Sequence, residues 1–446
     1  MNRIAQLEIK EEPNAFRDEI LDLFGNAFNF SHEKGLAEWL KNSVDAYCRA
    51  GVPDKGQFVV FRFTDGSESV LPAIECIDFA GMTYTDIEKA FKWWGDPNAA
   101  RRGLNVKVYG GHGNGGKFYM RQMFLKSYFV TYKDGKINIF GFKENRKYGF
   151  AEGFKDGKTT LSEALRMAEI DKSIIPSSVY EKLEKGETGF TVVKGFRPKK
   201  IVGRNLPVSR ICERFKYHPQ ARRPLKFSKV SVIYNGRVLA DKLRMEDIEP
   251  LLGFEGPYVF DIPEYIEPAS EGESKKKIQM SNQKFSAGRL TLRTSSIPFG
   301  RGGRKVELNC IDIVGEIGVI ASYNMQQVGY LRYFPQAQSV YGECTCPILE
   351  DLDYDCVQND RDKLVENDRT KTLLQWISKR IDEVGEKIAE KEAKKEQESN
   401  MKVTDEFNQL LNKWKNQFMA KLFAEVLGGP GRGLSTGGQG DEGSGG

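Results

Sequence analysis

The most informative stretch of this sequence is Glu38-Trp39-Leu40-Lys41-Asn42-Ser43-Val44-Asp45-Ala46. On a helix of about 3.6 residues per turn, positions 38, 42 and 45 fall within one narrow stripe. That stripe offers a carboxylate, an amide and a second carboxylate. The opposite side carries apolar residues that would anchor the helix in a core: Leu36, Leu40, Val44 and Tyr47. An ordinary amphipathic helix with a polar outer face explains the pattern equally well, so the segment needs support from elsewhere in the chain.

A second motif follows a predicted strand and reads Ile77-Asp78-Phe79-Ala80-Gly81-Met82-Thr83. An aspartate in this place can accept a hydrogen bond from an exocyclic amine, and a methionine can lie against a flat ring. A plain aspartate between a strand and a loop is the alternative interpretation.

A glycine-rich run, Gly110-Gly111-His112-Gly113-Asn114-Gly115-Gly116-Lys117, leads into a predicted helix. Glycines permit close backbone approach, and the free N–H groups of a helix N-terminus suit a phosphate chain. Residues 111–117 also fit the Walker A pattern G-x-x-x-x-G-K. However, Phe118 stands where that motif needs Ser or Thr for magnesium, and a P-loop would leave the other two motifs without a role.

The three motifs in this order resemble those of the GHKL ATPases, which include gyrase B subunits, MutL, the heat-shock-ninety chaperones, MORC proteins and sensor histidine kinases. Residues 38–46 match closely, and residues 113–117 are most similar to MORC proteins. The resemblance implies an α+β Bergerat fold, a two-layer α/β sandwich with ATP beneath a mobile glycine-rich lid. It covers residues 25–200 well and residues 230–380 loosely.

The resemblance also implies a role for each motif. Glu38 would position or deprotonate water, Asn42 would hold Mg²⁺, and Asp78 would bind adenine. The other nucleotide contacts would come from Asp45, Gly81, Met82, Gly113, Asn114, Gly115, Gly116, Lys117 and Thr191. The segment from Asp78 to Met82 is one residue shorter than the family's D-x-G-x-G-M, so the turn under the adenine must differ.

Near the end of the second half, Gln358-Asn359-Asp360-Arg361-Asp362-Lys363-Leu364 resembles the catalytic loop of heat-shock-ninety middle domains. Arg361 would then reach the γ-phosphate, where its planar fork can bind two oxygens. MORC and MutL proteins place a lysine on the equivalent loop, which makes Lys363 the second candidate. A solvated charge run before a helix is the remaining interpretation.

Sequence patterns divide the chain into five parts. Asp134-Gly135 predicts a hairpin between strands at 128–132 and 137–142, and helical spacing predicts helices within 15–50. The expected parts are an ATP-binding domain (1–200), a basic connector (201–229), a transducer-like α/β middle domain (230–370), C-terminal helices (371–427) and a disordered glycine-rich tail (428–446). Residues 226–238 and 288–294 would belong to the transducer domain.

The C-terminal helices are predicted at roughly 362–398 and 403–427. The first carries a heptad-spaced apolar seam from Leu374 to Ile388, and the second an apolar stripe from Phe407 to Val426. Both a helical hairpin packed on the middle domain and an intermolecular bundle explain these stripes. We expect a homodimer.

Two short motifs are weaker signals. Ser31-His32-Glu33 resembles the phosphoacceptor motif of sensor kinases but lies only ten residues before Asn42, so we interpret Ser31 as a helix N-cap. Cys344-x-Cys346, with Cys310 and Cys356, could form a thiolate metal site, although zinc ligands are usually spaced C-x₂₋₄-C. Buried cysteines are the preferred interpretation.

The composition sets further limits. Net charge is +5, from 67 basic and 62 acidic residues, which is too balanced to argue for nucleic-acid binding by itself. No apolar run approaches the roughly 20 residues that span a membrane, and the N-terminus lacks a signal-peptide core. We therefore expect a cytoplasmic protein with reduced thiols and without a membrane. The resemblance to the GHKL ATPases implies that it uses Mg²⁺ and ATP. Its further partner would be a client protein or DNA; a nucleotide sensor without turnover is the alternative.

Overall fold

The computed structural model describes residues 4–12, 16–91, 94, 114–268, 277–302, 305–316, 318–351, 353–358 and 361–427. Gly113, to which the sequence assigns a phosphate contact, and the tail 428–446 lie outside the described residues. The chain divides into two compact units, Met1–Val384 and Gly385–Gly446.

The described residues form eleven α-helices and sixteen strands. The helices are α1 (Asp18–Ala27), α2 (His32–Arg49), α3 (Tyr84–Asp86), α4 (Gly115–Met123), α5 (Leu161–Met167), α6 (Ser177–Glu184), α7 (Val208–Tyr217), α8 (Pro219–Phe227), α9 (Met325–Val328), α10 (Phe334–Ala337) and α11 (Asp368–Leu427). The strands are β1 (Phe58–Thr64), β2 (Ala73–Asp78), β3 (Phe124–Lys133), β4 (Lys136–Phe142), β5 (Tyr148–Phe150), β6 (Gly157–Lys158), β7 (Phe190–Pro198), β8 (Lys229–Tyr234), β9 (Arg237–Ala240), β10 (Tyr258–Asp261), β11 (Tyr265–Ile266), β12 (Ile278–Gln279), β13 (Arg289–Thr294), β14 (Cys310–Val314), β15 (Val319–Asn324) and β16 (Val340–Thr345).

A large mixed sheet forms the centre of the first unit. Its order is β5-β4-β3-β7-β2-β1-β8-β9, with β6 paired to β4. β1 and β8 are parallel, whereas β1–β2, β2–β7 and β3–β7 are antiparallel. The predicted hairpin between β3 and β4 is present, and Asp134 and Gly135 both have the positive φ that its turn requires.

Helix α2 packs against β2 and contacts α4, α7 and α8, which together make a helical layer over the sheet. Its predicted core side is buried: Leu36, Leu40, Val44 and Tyr47 are each no more than 2% exposed. The α+β class, with helices layered on a mixed sheet and a C-terminal helical region, is therefore confirmed.

The stretch predicted as a basic connector is largely regular structure. It contains α7 and α8, and the ring of Phe215 on α7 packs edge-on against Phe61 of β1 with centroids 5.1 Å apart. The next strand, β8, belongs to the large sheet rather than to a second one, because Val230 and Val232 are fully buried beside β1. Basic side chains such as Arg210 and Arg214 occupy the exposed side of α7. The many charges in this stretch therefore favoured a connector over the amphipathic helix that is present.

A second sheet has the order β10-β13-β16-β14-β15, and its strand β13 lies within residues 288–294. Strands β14 and β16 are parallel, and the other neighbours are antiparallel. Helix α8 contacts β15, so it adjoins both α2 and the second sheet.

Helix α11 is one continuous element, without the break predicted at 399–402. The sequence has no glycine or proline between residues 386 and 427, so nothing in it interrupts the helix. A hairpin turn is therefore absent from 368–427. The predicted seam is also not free for a second copy, because Ile377, Ile381 and Val384 are fully buried within the first unit. None of the helices in the described part of the chain has the length and apolarity that crossing a bilayer needs.

Candidate functional site

The start of α2 is fixed by a cap and a buried histidine. Ser31 Oγ accepts a hydrogen bond from the backbone N–H of Lys34 at 3.2 Å, which confirms the predicted N-cap. His32 is 6% exposed, with Nδ1 2.9 Å from Tyr119 Oη and Nε2 2.7 Å from the carbonyl oxygen of Lys199. Burial lowers the pKa of this imidazole. His32 is therefore a structural residue rather than an accessible phosphoacceptor.

The polar stripe of α2 meets the first residues of α4. A Cβ placed on Gly115 would collide with Glu38 Oε2, and one placed on Gly116 would collide with Asn42 Nδ2. Trp39 Nε1 also donates to the Gly116 carbonyl oxygen at 3.4 Å. A side chain at either glycine would displace these groups, so the two glycines let a carboxylate and an amide lie at the N-terminus of a helix. The first N–H groups there have no partner within the helix and favour a negative charge.

Glu38 is half-buried and forms an ion pair with Lys41, whose Nζ lies 2.6 Å from Glu38 Oε1. Lys41 is 5% exposed and also donates to Gln220 Oε1 at 2.6 Å. Burial lowers the pKa of the Lys41 ammonium, the Glu38 carboxylate opposes this, and the charge of Arg361 adds to the lowering. The carboxylate therefore lies in a small network of charged groups.

Asp78 ends strand β2 and is 6% exposed. Ser43 Oγ donates to Asp78 Oδ2 at 2.9 Å, and the backbone N–H of Ala80 donates to Oδ1 at 3.1 Å. Burial raises the pKa of Asp78 to about 6, although these hydrogen bonds favour the charged form. Asp78 is thus a buried carboxylate that retains part of its charge near neutral pH.

Next to Asp78 in the sheet lies a row of threonines. Thr191 pairs with Asp78 between β2 and β7, and with Thr131 between β7 and β3. The two threonine hydroxyls are 3.0 Å apart, and the backbone N–H of Met82 donates to Thr131 Oγ1 at 2.7 Å. Gly81 adopts a φ of +70°, and a Cβ there would lie 2.6 Å from a carbonyl oxygen of β3. The shortened turn after Asp78 is therefore held against strand β3.

Other predicted site residues have different surroundings. Lys117 is buried; its Nζ donates to the Phe91 carbonyl oxygen at 3.3 Å and lies 5.0 Å from the centre of the Trp94 ring. Its charge is thus placed beside aromatic rings. Asn114 precedes α4 as the N-cap residue, and Asp45 is buried on α2, 2% exposed.

The loop that carries Arg361 reaches helix α2. Arg361 Nη2 lies 3.6 Å from Glu350 Oε1, and both side chains are 9% exposed. The next residue, Asp362, accepts from Lys34 Nζ on α2 at 2.9 Å. Arg361, Asp362 and Gln220 border a cavity of about 710 Å³. Lys363, the second candidate on this loop, is exposed.

The cysteines between residues 310 and 356 have buried surroundings. Cys310, Cys344, Cys346 and Cys356 are buried free thiols, as preferred from their spacing. Burial raises the pKa of Cys346 to about 12 and thereby disfavours the thiolate that a metal needs. Among the residues that the structure describes, no group of three or more His, Cys, Asp or Glu side chains is arranged to hold a metal ion.

Three polar partners in this region were not predicted. Ser43 lies inside the α2 motif, directly after Asn42, so its position offered a signal. Thr131 and Gln220 offered none, because their partners Thr191 and Lys41 are 60 and 179 residues away in the sequence. Such contacts depend on sheet register and helix packing.

Fold and site together define an α+β protein in which a carboxylate, an amide and a helix N-terminus converge above a sheet whose central strand β2 ends in a buried aspartate. In general, a carboxylate can act as a base toward water, an amide oxygen can ligate a hard cation, and the N–H groups of a helix start can bind an anion. The first described residues of α4 and the polar stripe of α2 are its centre.

Comparison with known proteins gives only distant similarity. No protein-family model and no curated protein matches the sequence. Among solved structures, the chain is similar to the N-terminal domain of a DNA repair protein at 12% identity and a TM-score of 0.39, over 79% of this chain and 93% of that one. It is also similar to the B-subunit of the DNA gyrase from Myxococcus xanthus at 10% identity and a TM-score of 0.39, over 78% of this chain and 89% of that one. At this level of similarity, the function has to be argued from the residues of the chain itself.

Proposed function

We propose that this chain binds ATP with Mg²⁺ and hydrolyses it slowly, as an ATP-driven conformational clamp. The observation that carries the proposal is the approach of Glu38 and Asn42 on α2 to Gly115 and Gly116 at the start of α4. Phosphates would lie against the N–H groups of this helix start. Glu38 would orient or deprotonate the attacking water from the side of α2.

Asp78 would recognise the base. Its buried carboxylate, next to Thr191 and the Met82 backbone, can accept a hydrogen bond from the exocyclic amine of adenine. Guanine has a carbonyl at that edge, so a carboxylate there favours adenine. Burial makes such a contact more selective, because an unpaired polar group is costly in a site without water.

The residues also fit magnesium bound together with phosphates. Asn42 is exposed and close to the helix start, and it supplies one amide oxygen. Magnesium commonly keeps several waters and binds through one or two protein oxygens plus substrate phosphates. When bound, the ion would neutralise charge on the phosphates.

A second candidate function is a nucleotide sensor without turnover. The pairing of Glu38 with Lys41, and of Arg361 with Glu350, favours this alternative, since both candidate catalytic groups are already engaged. In the clamp proposal, Arg361 leaves Glu350 for the γ-phosphate when the chain closes. Either a client protein or DNA would then be the partner on which the clamp acts.

The deciding experiment measures ATP binding and steady-state turnover for the parent and for Glu38→Gln. We expect binding to be retained and turnover to fall by about 10²–10⁴, because loss of a general base has that effect. Glu184→Gln, an exposed carboxylate on α6, is the matched control and should hydrolyse ATP at the parental rate. Binding without turnover in the parent would support the sensor, and absence of binding would refute both functions. DNA or an unfolded protein added to the parent would identify the partner, and a DNA effect should fall steeply with salt.

A further inference from the structure

The two carboxylate oxygens of Glu38 have different surroundings. Oε1 lies 2.6 Å from Lys41 Nζ, on the side of α2 that faces α8. Oε2 points at Gly115, so closely that a Cβ there would collide with it. One oxygen is therefore held by an ammonium, and the other faces the start of α4.

Lys41 is itself held in place. Its Nζ donates to Gln220 Oε1 at 2.6 Å. Both residues are buried: Lys41 is 5% exposed and Gln220 is 3% exposed. A buried ammonium is costly unless it is paired, and here it has a charged and a neutral acceptor. Gln220 lies on α8, the helix that contacts both α2 and β15, and it borders the same cavity as Arg361.

We propose that Lys41 is a positioning residue: it fixes the orientation of Glu38 so that Oε2 faces the phosphate site, and it couples this orientation to α8 through Gln220. The proposal rests on the function proposed above for Glu38. Lys41 itself does not touch the reacting atoms. It acts from one helical turn away, at the spacing where a lysine can reach back to a glutamate on the same helix face.

The effect expected of such a residue is on rate rather than on binding. A glutamate side chain has three rotatable bonds, and displacement of a reacting group by about 1 Å can cost on the order of 10²-fold in rate. Nucleotide affinity depends on other groups, namely Asp78, Asn42 and the helix start. Loss of Lys41 should therefore lower kcat and leave the Kd for ATP nearly unchanged.

The experiment compares Lys41→Met, Gln220→Leu, the double variant and Lys41→Arg in the full chain. We expect kcat to fall about 10- to 100-fold for Lys41→Met, less for Gln220→Leu, and no further for the double variant, because both act through one contact. Lys41→Arg should recover part of the rate, since it restores a cation. The Kd for ATP should stay within a few-fold of the parent throughout.

Lys194→Met is the matched control for removing a buried lysine. Lys194 on β7 is 3% exposed and pairs with Glu75 of β2 at 2.9 Å and with Glu169, in the turn after α5, at 2.7 Å. The Lys194→Met variant should be less stable than the parent, but its kcat should not fall as that of Lys41→Met does. A Lys41→Met protein that hydrolyses ATP as fast as the parent, or faster, would overturn the proposal, and faster turnover would identify Lys41 as a brake on Glu38.

Failure of the proposed function can be distinguished from failure of the positioning role by measurements on the parent and the variants. If the parent does not hydrolyse ATP, the unfolding free energies of Glu38→Gln, Lys41→Met and their combination decide whether Lys41 holds Glu38. Strong non-additivity would show that Lys41 holds the carboxylate, whereas additive effects would refute the pairing as well. If the parent is active and Glu38→Gln is equally active, Glu38 is not the base, and the positioning role falls with it.

Discussion

Ser43 Oγ donates a hydrogen bond to Asp78 Oδ2 over 2.9 Å and so connects helix α2 to the end of strand β2. Ser43 follows Asn42 in the chain, so one short segment of α2 faces both the helix start of α4 and the buried aspartate. The two ends of the proposed nucleotide site are therefore joined by a single turn of helix. Changes at Asp78 and at Asn42 can be tested separately, because the two side chains serve different parts of ATP.

Asp78→Asn should weaken the binding of ATP and ADP alike, because the amide can present a donor where the adenine amine needs an acceptor. Loss of a hydrogen bond to a charged group costs about 1.5–3 kcal/mol, or roughly ten- to a hundred-fold in affinity. Equilibrium binding measured with ATP, ADP and GTP tests this. Equal affinity of the parent for GTP would contradict the role of Asp78.

The same substitution has a predicted effect on stability. Burial raises the pKa of Asp78 from 3.8 to about 6, so the folded chain binds this proton more tightly than the unfolded chain. The contribution of Asp78 to stability is therefore greatest below pH 3.8 and is lost as pH rises through about 6. Relative to the parent, Asp78→Asn should gain on the order of 3 kcal/mol between about pH 4 and pH 7.5. Unfolding of the two proteins without nucleotide, across that range, measures it; a constant difference would contradict the raised pKa.

Asn42→Ala should remove the part of ATP affinity that depends on magnesium. Mg²⁺ prefers hard oxygen ligands, and Asn42 is an exposed amide close to the start of α4. The Kd for ATP should be lower with magnesium than with a chelator for the parent. For the variant, the two Kd values should be nearly equal. Asn145→Ala, on an exposed turn, is the control. A variant that keeps the full magnesium effect would show that another group is the ligand.

Arg361→Ala should slow hydrolysis with little change in ATP affinity, because the guanidinium has to leave Glu350 before it can reach a phosphate. An arginine that joins a phosphoryl-transfer site can raise the rate about 10³- to 10⁵-fold. For a slow clamp we expect the loss of rate in Arg361→Ala to lie at or below the lower end of this range. Lys363→Ala is the comparison, since that side chain is exposed on the same loop. A larger defect at Lys363 would assign the phosphate contact to the lysine.

The C-terminal half of α11 is the predicted dimer contact. Its apolar stripe is exposed, with Phe407 at 61%, Trp414 at 64% and Phe418 at 50%. A second copy of this helix would bury such a stripe. Light scattering should show a dimer for the full chain, and a monomer for a chain ending at Asn400, which retains the buried part of α11. A full-length protein that stays monomeric at tens of micromolar, with or without a non-hydrolysable ATP analogue, would refute the dimer.

Local sequence determined much of the fold and of the site. Helical spacing located α2 and its buried side, Ser31 marked where this helix starts, and Asp134-Gly135 marked the β3–β4 hairpin. These features depend on residues a few positions apart, which the sequence displays directly. Spacing placed Glu38 and Asn42 on one face of that helix, but their selection as site residues depended on the resemblance of three motifs in order.

Tertiary structure alone decided the features that depend on distant segments. The placement of β8 beside β1, the hydrogen bond between Lys41 and Gln220, and the pairing of Thr191 with Thr131 join residues far apart in the chain. Burial of Ile377 and Ile381 likewise placed in the core a seam that the sequence left open between packing within the chain and pairing with a second copy. An apolar stripe specifies that a surface will be covered, but not by which partner, because hydrophobic burial is non-directional. The partner is chosen only when helices and strands pack.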